Sequence, residues 1–186
     1  EKNEVLGIAG ESGCGKSTLA RLITMIEKPT SGDFEVDGIN AVTSGPEEMK
    51  ALRSKVQIVF QDPYGSLNPR KKVGSILEEP IKINTDLTKA QRREKSLAMM
   101  EKVGLSKEQY SRYPHMFSGG QRQRIAVARA LITQPKLVMA DEPTANLDKK
   151  SSVNVIRLMH DMKDKFGTTF IFSTHDPRIM EEAEIT

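Results

Sequence analysis

Residues 5 to 20 read VLGIAGESGCGKSTLA, and no other part of the chain says as much about its architecture. The apolar run VLGIAG leads directly into GESGCGKST at 10–18, which matches the phosphate-loop pattern G-x-x-x-x-G-K-[ST]. Glycines in such a loop let successive backbone amides turn inward toward phosphate oxygens. The helix-forming residues that follow place a helix start behind the loop. This order predicts a nucleotide-binding α/β domain.

Two side chains of this loop are expected to carry most of its chemistry. Lys16 should reach the β- and γ-phosphates of a nucleotide, and the Ser17 hydroxyl should ligate Mg²⁺. We interpret Cys14 as contributing its backbone more than its thiol. The predicted nucleotide-binding residues of the loop are Gly10, Ser12, Gly13, Cys14, Gly15, Lys16, Ser17 and Thr18.

The composition is that of an ordinary soluble domain of 186 residues, with a net charge of +3. The basic run at 70–72 follows a proline and indicates a solvated turn, so no nucleic-acid partner is expected. One cysteine excludes a disulfide framework or a zinc cluster within the chain. No apolar run approaches the roughly 20 residues that cross a bilayer. We therefore expect any role at a membrane to be exerted from its cytoplasmic side through a partner.

Short apolar runs alternate with helical patterns along the chain, which predicts an α/β fold with a mainly parallel sheet. The predicted buried strands are 5–10, 55–61, 136–142 and 168–174, with an edge strand or hairpin arm at 32–38. The predicted helices are 16–26, 46–53, 88–103, 119–133 and 150–165. The stretch between 62 and 135 lacks a convincing buried strand, and we interpret it as a mostly helical insertion that begins with the turn-forming DPYGSLNP.

Polar residues close three of the predicted strands, where ligands bind in open α/β sheets. Asp141 is predicted to hold Mg²⁺, and Glu142 to polarise an attacking water. Gln61 closes another strand and could sense the metal or the water. His175 closes the last strand and could hydrogen-bond the γ-phosphate. The predicted catalytic residues are Lys16, Gln61, Glu142 and His175, and the predicted metal ligands are Ser17, Gln61 and Asp141.

A second candidate anion site lies about a hundred residues beyond the first, at FSGGQRQR (117–124). Ser118 precedes a glycine pair and a helix, whose first amides and positive dipole end favour an anion. A helical insertion would hold this turn away from the chain's own nucleotide. We therefore expect Ser118, Gly119, Gly120 and Gln121 to bind the nucleotide of a second subunit, in a two-fold dimer with two ATP molecules.

Taken together, these motifs resemble ATP-binding cassettes of ABC transporters over essentially the whole chain. FSGGQ resembles their signature motif, GESGCGKST their Walker A, LVMADE their Walker B, and ANLD at 145–148 their D-loop. Gln61 and His175 match their Q-loop and switch histidine. The resemblance implies a P-loop NTPase with a RecA-like core (1–62 and 136–186) and a helical subdomain (63–135). It also implies hydrolysis of ATP with Mg²⁺.

The resemblance further implies the partners and the place of action. These are transmembrane permease subunits, a second ATP-binding subunit that is identical or different, and a solute-binding protein reached through the permease. The protein would lie peripherally on the cytoplasmic face of the inner membrane. The segment after Gln61 would touch a cytoplasmic helix of the permease.

The resemblance to subfamilies is mixed, so several alternatives stay open. VFQDPYGSLNPR and YPHMFSGGQRQR resemble oligopeptide and dipeptide importers, whereas EPTANLD and FIFSTHDP are closer to lipoprotein-release and macrolide-export cassettes. Relative to the family the chain looks truncated at both ends, without the aromatic residue that stacks on adenine. We expect a peptide importer. The alternatives are a soluble ABC ATPase acting on nucleic acid or ribosomes, and an engineered scaffold with little turnover.

Overall fold

The computed structural model describes residues 5–11, 13–36 and 38–174. Its strands are β1 (Val5–Ala9), β2 (Glu35–Val36), β3 (Ile39–Asn40), β4 (Val56–Val59), β5 (Leu137–Asp141) and β6 (Thr169–Thr174). Its α-helices are α1 (Lys16–Ile23), α2 (Pro46–Lys55), α3 (Pro63–Ser66), α4 (Val73–Asn84), α5 (Lys89–Lys102), α6 (Gly119–Leu131) and α7 (Lys149–Phe166). Two 3₁₀ helices, Lys107–Ser111 and Pro114–Met116, lie between α5 and α6.

Four strands form a parallel sheet in the order β1, β6, β5, β4. Its apolar strands are covered on both faces, which explains their nearly continuous hydrophobic sequence. The register aligns Asp141 of β5 with Ser173 of β6, and Ala9 of β1 with Thr174 of β6. Because the strands are parallel, their carboxyl ends meet at one edge. That edge receives the phosphate loop after β1 and the acidic pair at the end of β5.

Helix α6 is the most deeply buried helix among the described elements. Four consecutive residues, Ile125 to Ala128, are fully buried. The helix contacts α7, α4, α3 and β4, so it joins the sheet to the helices between β4 and β5. A smaller apolar cluster lies beneath α2 and the β2–β3 hairpin and contains Met25, Ala41, Leu52 and Val56. Because α6 contacts both the sheet and the helices between β4 and β5, its position depends on both of these parts of the structure.

Polar side chains fix the starts of three helices. Thr88, Ser118 and Asp148 are the N-cap residues of α5, α6 and α7, and each side chain accepts a hydrogen bond from the backbone N–H three residues on, at 3.4, 3.3 and 3.0 Å. These bonds satisfy N–H groups that have no partner within the helix. Gly167 ends α7 with a φ of 63°, the left-handed conformation that suits glycine at this position.

The predicted α/β fold with a mainly parallel sheet is confirmed. All four predicted buried strands are present, shortened by one to three residues, and 32–38 contributes one arm of the small hairpin. All residues between β4 and β5 are described, and they form helices and turns without a strand. The sequence analysis missed α4 and took α3 for a turn. Gly74 and Pro80 interrupt the apolar pattern of α4, and its helical form depends on packing against α5 and α6. No helix in the described ranges combines the length and apolarity of a transmembrane span.

The ring of Tyr110 packs directly against Gly74, in the first turn of α4, and leaves no space for a Cβ there. A Cβ at this position would lie 2.2 Å from the ring Cζ of Tyr110. The Tyr110 hydroxyl donates a hydrogen bond to Glu78, one turn further along α4. Burial, together with this bond to Glu78, raises the pKa of Tyr110 to about 12. The ring is thus fixed over the helix and cannot move aside for a larger residue.

We expect Gly74→Ala to destabilise the fold, although alanine normally stabilises a helix by about 0.5–1 kcal/mol relative to glycine. Overpacking against Tyr110 should lower the free energy of unfolding by about 1–3 kcal/mol, measured by urea denaturation. In a Tyr110→Ala background the same change should become neutral or stabilising. A stabilised Gly74→Ala protein with Tyr110 intact would contradict this packing.

Candidate functional site

The phosphate loop connects β1 to α1 and is shaped by glycines in left-handed conformations. Gly13 has a φ of 84° and Gly15, the N-cap of α1, a φ of 101°. A side chain at either position would strain the backbone. At Gly10 the constraint is different, because a Cβ there would lie 2.6 Å from the Sγ of the exposed Cys14, which would have to turn away. The Cys14 backbone N–H donates to the Glu11 carbonyl at 3.3 Å and closes the turn.

Lys16 lies inside this loop with only 7% of its surface exposed. Its Nζ donates to the backbone carbonyls of Gly10 at 2.7 Å and Glu11 at 2.8 Å. These two bonds hold the ammonium group across the mouth of the loop. A cation at this place, together with the amides of the loop and the start of α1, favours a bound phosphate.

The hydroxyl of Ser17 meets the carboxylate at the end of β5. Ser17 Oγ donates to Asp141 Oδ1 at 3.2 Å, although 124 residues separate them in sequence. Asp141 is 9% exposed, so its charge lies at a sheltered position at the end of the strand. Mg²⁺ prefers oxygen ligands and is commonly bound by one or two carboxylates together with substrate phosphates. Ser17 and Asp141 fit this pattern.

No cluster of three or more His, Cys, Asp or Glu side chains in the described ranges could hold a metal by itself. A cation at Ser17 and Asp141 would therefore need further oxygen ligands from phosphate or water. This fits a metal that arrives with its nucleotide better than a permanently bound ion.

Glu142 and Gln61 approach each other at the same edge of the sheet. Gln61 Nε2 donates to Glu142 Oε2 at 3.4 Å. The backbone of Glu142 has a φ of 44°, which is uncommon for a residue with a side chain, and its N–H donates to the Ser173 carbonyl at 2.8 Å. Strained backbone of this kind is concentrated at functional sites. The turn directs the carboxylate of Glu142 away from the axis of β5 and toward Gln61.

Asn146 contributes a contact that the sequence analysis did not assign. Its Nδ2 donates to the backbone carbonyl of Gln61 at 3.3 Å, which ties the loop after β5 to the end of β4. The resemblance of 145–148 to a D-loop was the available signal, but it gave no role to this side chain. The structure thus places Asn146 beside the Gln61–Glu142 pair.

The glycines after Ser118 have a packing role. A Cβ at Gly120 would lie 2.9 Å from Ser151 Oγ, and one at Gly119 would lie 3.4 Å from a methyl group of Leu147. The start of α6 therefore packs closely against the start of α7. In a reciprocal cap, the Ser118 N–H donates to Gln121 Oε1 at 3.0 Å. The Ser118 hydroxyl, which accepts from the Gln121 N–H, keeps its own proton to donate.

The predicted site residues fall into two groups in this structure. Lys16, Ser17, Gln61, Asp141 and Glu142 lie at the carboxyl edge of the sheet. The Ser118 turn borders a separate open cavity of about 350 Å³, whose lining contains no phosphate-loop residue: Ser118, Gly120, Gln121, Arg124, Ser151 and Asn154. Thr18 is exposed on the first turn of α1. The predicted residues Ser12 and His175 lie outside the described residues, so their roles stay predictions.

Comparison with known proteins identifies relatives for nearly the whole chain. The family model described as "ABC transporter" matches residues 1–145. The dipeptide transport ATP-binding protein DppF of Escherichia coli K12 is 56% identical over 181 residues, which are 97% of this chain and 54% of that protein. The oligopeptide transport ATP-binding protein AppF of Bacillus subtilis 168 is 45% identical over 177 residues, 95% of this chain and 54% of that protein. The chain spans about half the length of these relatives.

Solved structures agree with this result. A dimeric ATP-binding cassette, MJ0796, in a post-hydrolysis state with ADP and Pi, superposes with a TM-score of 0.87 at 30% identity and covers 99% of this chain and 80% of its own. The cassette cbiO1 from Clostridium perfringens, part of the ABC transporter complex cbiONQ, gives a TM-score of 0.83 at 31% identity, over 96% of this chain and 70% of its own. The described fold is thus that of an ATP-binding cassette.

Asp141→Asn keeps the shape of the side chain but removes its charge. If Asp141 holds Mg²⁺ through water, this change should weaken the Mg²⁺-dependent part of ATP binding by about 10–100-fold. Binding of a fluorescent ATP analogue, titrated with Mg²⁺ and in EDTA, separates that part from the rest. Asp161→Asn, an exposed aspartate on α7, is the matched control. An unchanged Mg²⁺ dependence in Asp141→Asn would remove Asp141 from the metal site.

Proposed function

This chain belongs to the ABC transporter family, and we propose that it binds and hydrolyses Mg-ATP to energise the import of peptides. The observation that carries the proposal is the convergence at one sheet edge of the phosphate loop, the Ser17–Asp141 pair at 3.2 Å and the Gln61–Glu142 pair at 3.4 Å. Each pair joins residues far apart in sequence. Together they supply a phosphate cradle, oxygen ligands and a carboxylate base.

Each of these residues has a defined task in the proposed reaction. Lys16 would release the loop carbonyls of Gly10 and Glu11 and place its charge on the β- and γ-phosphates. Glu142 would accept a proton from the water that attacks the γ-phosphate in line, while Gln61 holds the Glu142 carboxylate. Mg²⁺, bound through Ser17 and Asp141, would neutralise charge on the phosphates. His175 would add a hydrogen bond to the γ-phosphate.

The second half of the site would come from another subunit. The Ser118 turn is separated from the phosphate loop of its own chain, has a hydroxyl proton to donate and lies at the start of a 13-residue helix. In a two-fold dimer it would face the γ-phosphate bound to the partner, and each nucleotide would link two subunits. The dimeric state of the similar cassette MJ0796 supports this arrangement. Hydrolysis would remove the link.

A groove between α2 and α4 is suited to a permease. An open cavity of about 370 Å³ lies there, and its lining includes Lys50, Arg53, Pro80 and Ile83. Ile83 is 59% exposed and adds an apolar side chain to this lining. We assign this groove to a short cytoplasmic helix of a transmembrane partner. Such docking would place the protein at the cytoplasmic face of the membrane.

The proposal of peptide import rests on the relatives, whose names specify dipeptide and oligopeptide transport. Those matches extend over 95–97% of the chain, including the D-loop region that resembles export cassettes. The solute would be selected by the permease and a solute-binding protein. Uptake of a radiolabelled dipeptide by cells with and without the gene tests this assignment. Unchanged dipeptide uptake in the deletion strain would reject it.

Glu142→Gln should retain ATP binding and lower the hydrolysis rate by about 10²–10⁴-fold, because the amide cannot accept the proton. Hydrolysis is measured as phosphate release by the full-length protein. In the wild type, the rate of release should also rise more steeply than linearly with protein concentration. Glu101→Gln, an exposed glutamate on α5, is the control for removal of one charge. Normal turnover by Glu142→Gln would exclude Glu142 as the base.

Ser118→Arg should leave ATP binding by the monomer intact but block dimer formation, since a bulky cation would fill the turn that faces the partner. Size-exclusion chromatography with Mg-ATP in a Glu142→Gln background should show a dimer for the parent and a monomer for the double variant. Ser106→Arg, at the start of the 3₁₀ helix Lys107–Ser111, is the matched control. A persistent dimer in the Ser118 variant would refute the shared site.

A further inference from the structure

The short helix α3 directly follows Gln61 and is held tightly in place. The Asp62 carboxylate accepts hydrogen bonds from the backbone N–H groups of Tyr64 at 2.9 Å and Gly65 at 3.0 Å. Pro63 is buried, whereas the Tyr64 side chain is 60% exposed. The local cap therefore fixes the backbone of Tyr64 relative to Gln61.

Two arginines of α6 hold this short helix. The Arg122 guanidinium carbon lies 3.5 Å from the ring centroid of Tyr64, and Arg129 Nη1 donates to the Ser66 carbonyl. Arg122 and Arg129 are seven residues apart, which is close to two helical turns, so both arginines extend from one face of α6. Burial lowers the pKa of Arg129. Arg122 and Arg129 thus connect α6 to α3 at two points, the ring of Tyr64 and the carbonyl of Ser66.

Arg122 also contacts the segment that leads into the Ser118 turn. Its Nη1 donates to the Phe117 carbonyl at 2.5 Å and to the Pro114 carbonyl at 3.5 Å. Phe117 immediately precedes Ser118. The guanidinium therefore connects the ring of Tyr64 to the backbone that sets the position of the Ser118 hydroxyl.

The positive charge of Arg122 is buried near the start of a helix. The residue is 6% exposed, near the start of α6, where the helix dipole disfavours a cation. Within residues 5–11, 13–36 and 38–174, no carboxylate lies within ion-pair distance of it. The two carbonyls and the face of Tyr64 are what stabilise the guanidinium. A buried cation behind a turn proposed to hold phosphate adds to the attraction for that anion.

We propose that Tyr64 and Arg122 are a positioning pair for the Ser118 turn, and that they fix this turn relative to Gln61 of the same chain. The inference rests on the proposed shared nucleotide site. The ligand concerned is the γ-phosphate of a nucleoside triphosphate bound to a second copy or paralogue of this chain. The contacts run without interruption from Glu142 through Gln61, α3 and Arg122 to Phe117 and Ser118. Neither Tyr64 nor Arg122 contacts the phosphate in this arrangement.

The test uses the full-length protein in a Glu142→Gln background with Mg-ATP. Tyr64→Ala should weaken ATP-dependent dimerisation by about 3–10-fold, measured by sedimentation equilibrium, because one cation–π contact is lost per subunit. Tyr64→Phe keeps the aromatic face and should restore dimerisation to within about twofold of the parent. ATP affinity of the monomer should be the same in all three proteins, since Tyr64 does not contact the phosphate in the proposed arrangement. Because Tyr64 is largely exposed, neither variant should unfold the chain.

The outcomes separate the proposals from each other. Equal dimerisation of the Tyr64→Ala protein and its parent would overturn the positioning role, as would an equal loss in Tyr64→Phe. A fall in monomer ATP affinity that matches the loss of dimerisation would assign Tyr64 a merely structural role and also overturn it. If the parent itself forms no dimer with Mg-ATP, the shared site fails, and the positioning role fails with it.

Discussion

The parallel register of β5 between β4 and β6 is the constraint on which the site depends. It brings the end of β5 level with Ser173 on one side, and the chain after Val59 supplies Gln61 on the other. Because the first helix packs across β5 and β6, Ser17 can reach Asp141. A shift of one residue in this register would turn Asp141 to the opposite face of the sheet and leave a buried carboxylate without the hydroxyl. The geometry of the candidate site is in this sense a property of the sheet.

Two demands act together on the glycine pair at the start of α6. Gly120 packs closely against Ser151 at the start of α7, where a Cβ would lie 2.9 Å from Ser151 Oγ, whereas a Cβ at Gly119 would meet Leu147 at an ordinary 3.4 Å. The first amides of α6 and the capped Ser118 are also suited to an anion. Gly120 would be favoured by this packing even if it bound nothing. The stronger argument for a binding role is that Ser118, which has a hydroxyl proton to donate, lines an open cavity together with Gly120 and Gln121.

The sequence was sufficient for the elements that are defined by local chemistry. Short sequence patterns indicate the phosphate loop, the buried strands and the cap at Thr88, and the structure contains each of these elements. It was insufficient for α4, because Gly74 and Pro80 look like helix breakers until the ring of Tyr110 is seen to lie on the glycine. Contacts such as Asn146 with Gln61 join residues 85 positions apart, and no local pattern encodes such a pairing. The sequence allowed candidate site residues to be named, whereas the contacts that hold them in place could be seen only in the structure.

The two hydrogen bonds of Lys16 to its own loop have a consequence for anion selectivity. An incoming anion must compete with the Gly10 and Glu11 carbonyls for the same ammonium group. A small monovalent anion offers little more than those carbonyls do, whereas a polyphosphate offers several oxygens and a larger charge. The two carbonyls therefore compete with any anion for the Lys16 ammonium group. Only an anion that binds this group more strongly than they do occupies the loop. Chloride would be held off by the same two bonds that a polyphosphate overcomes.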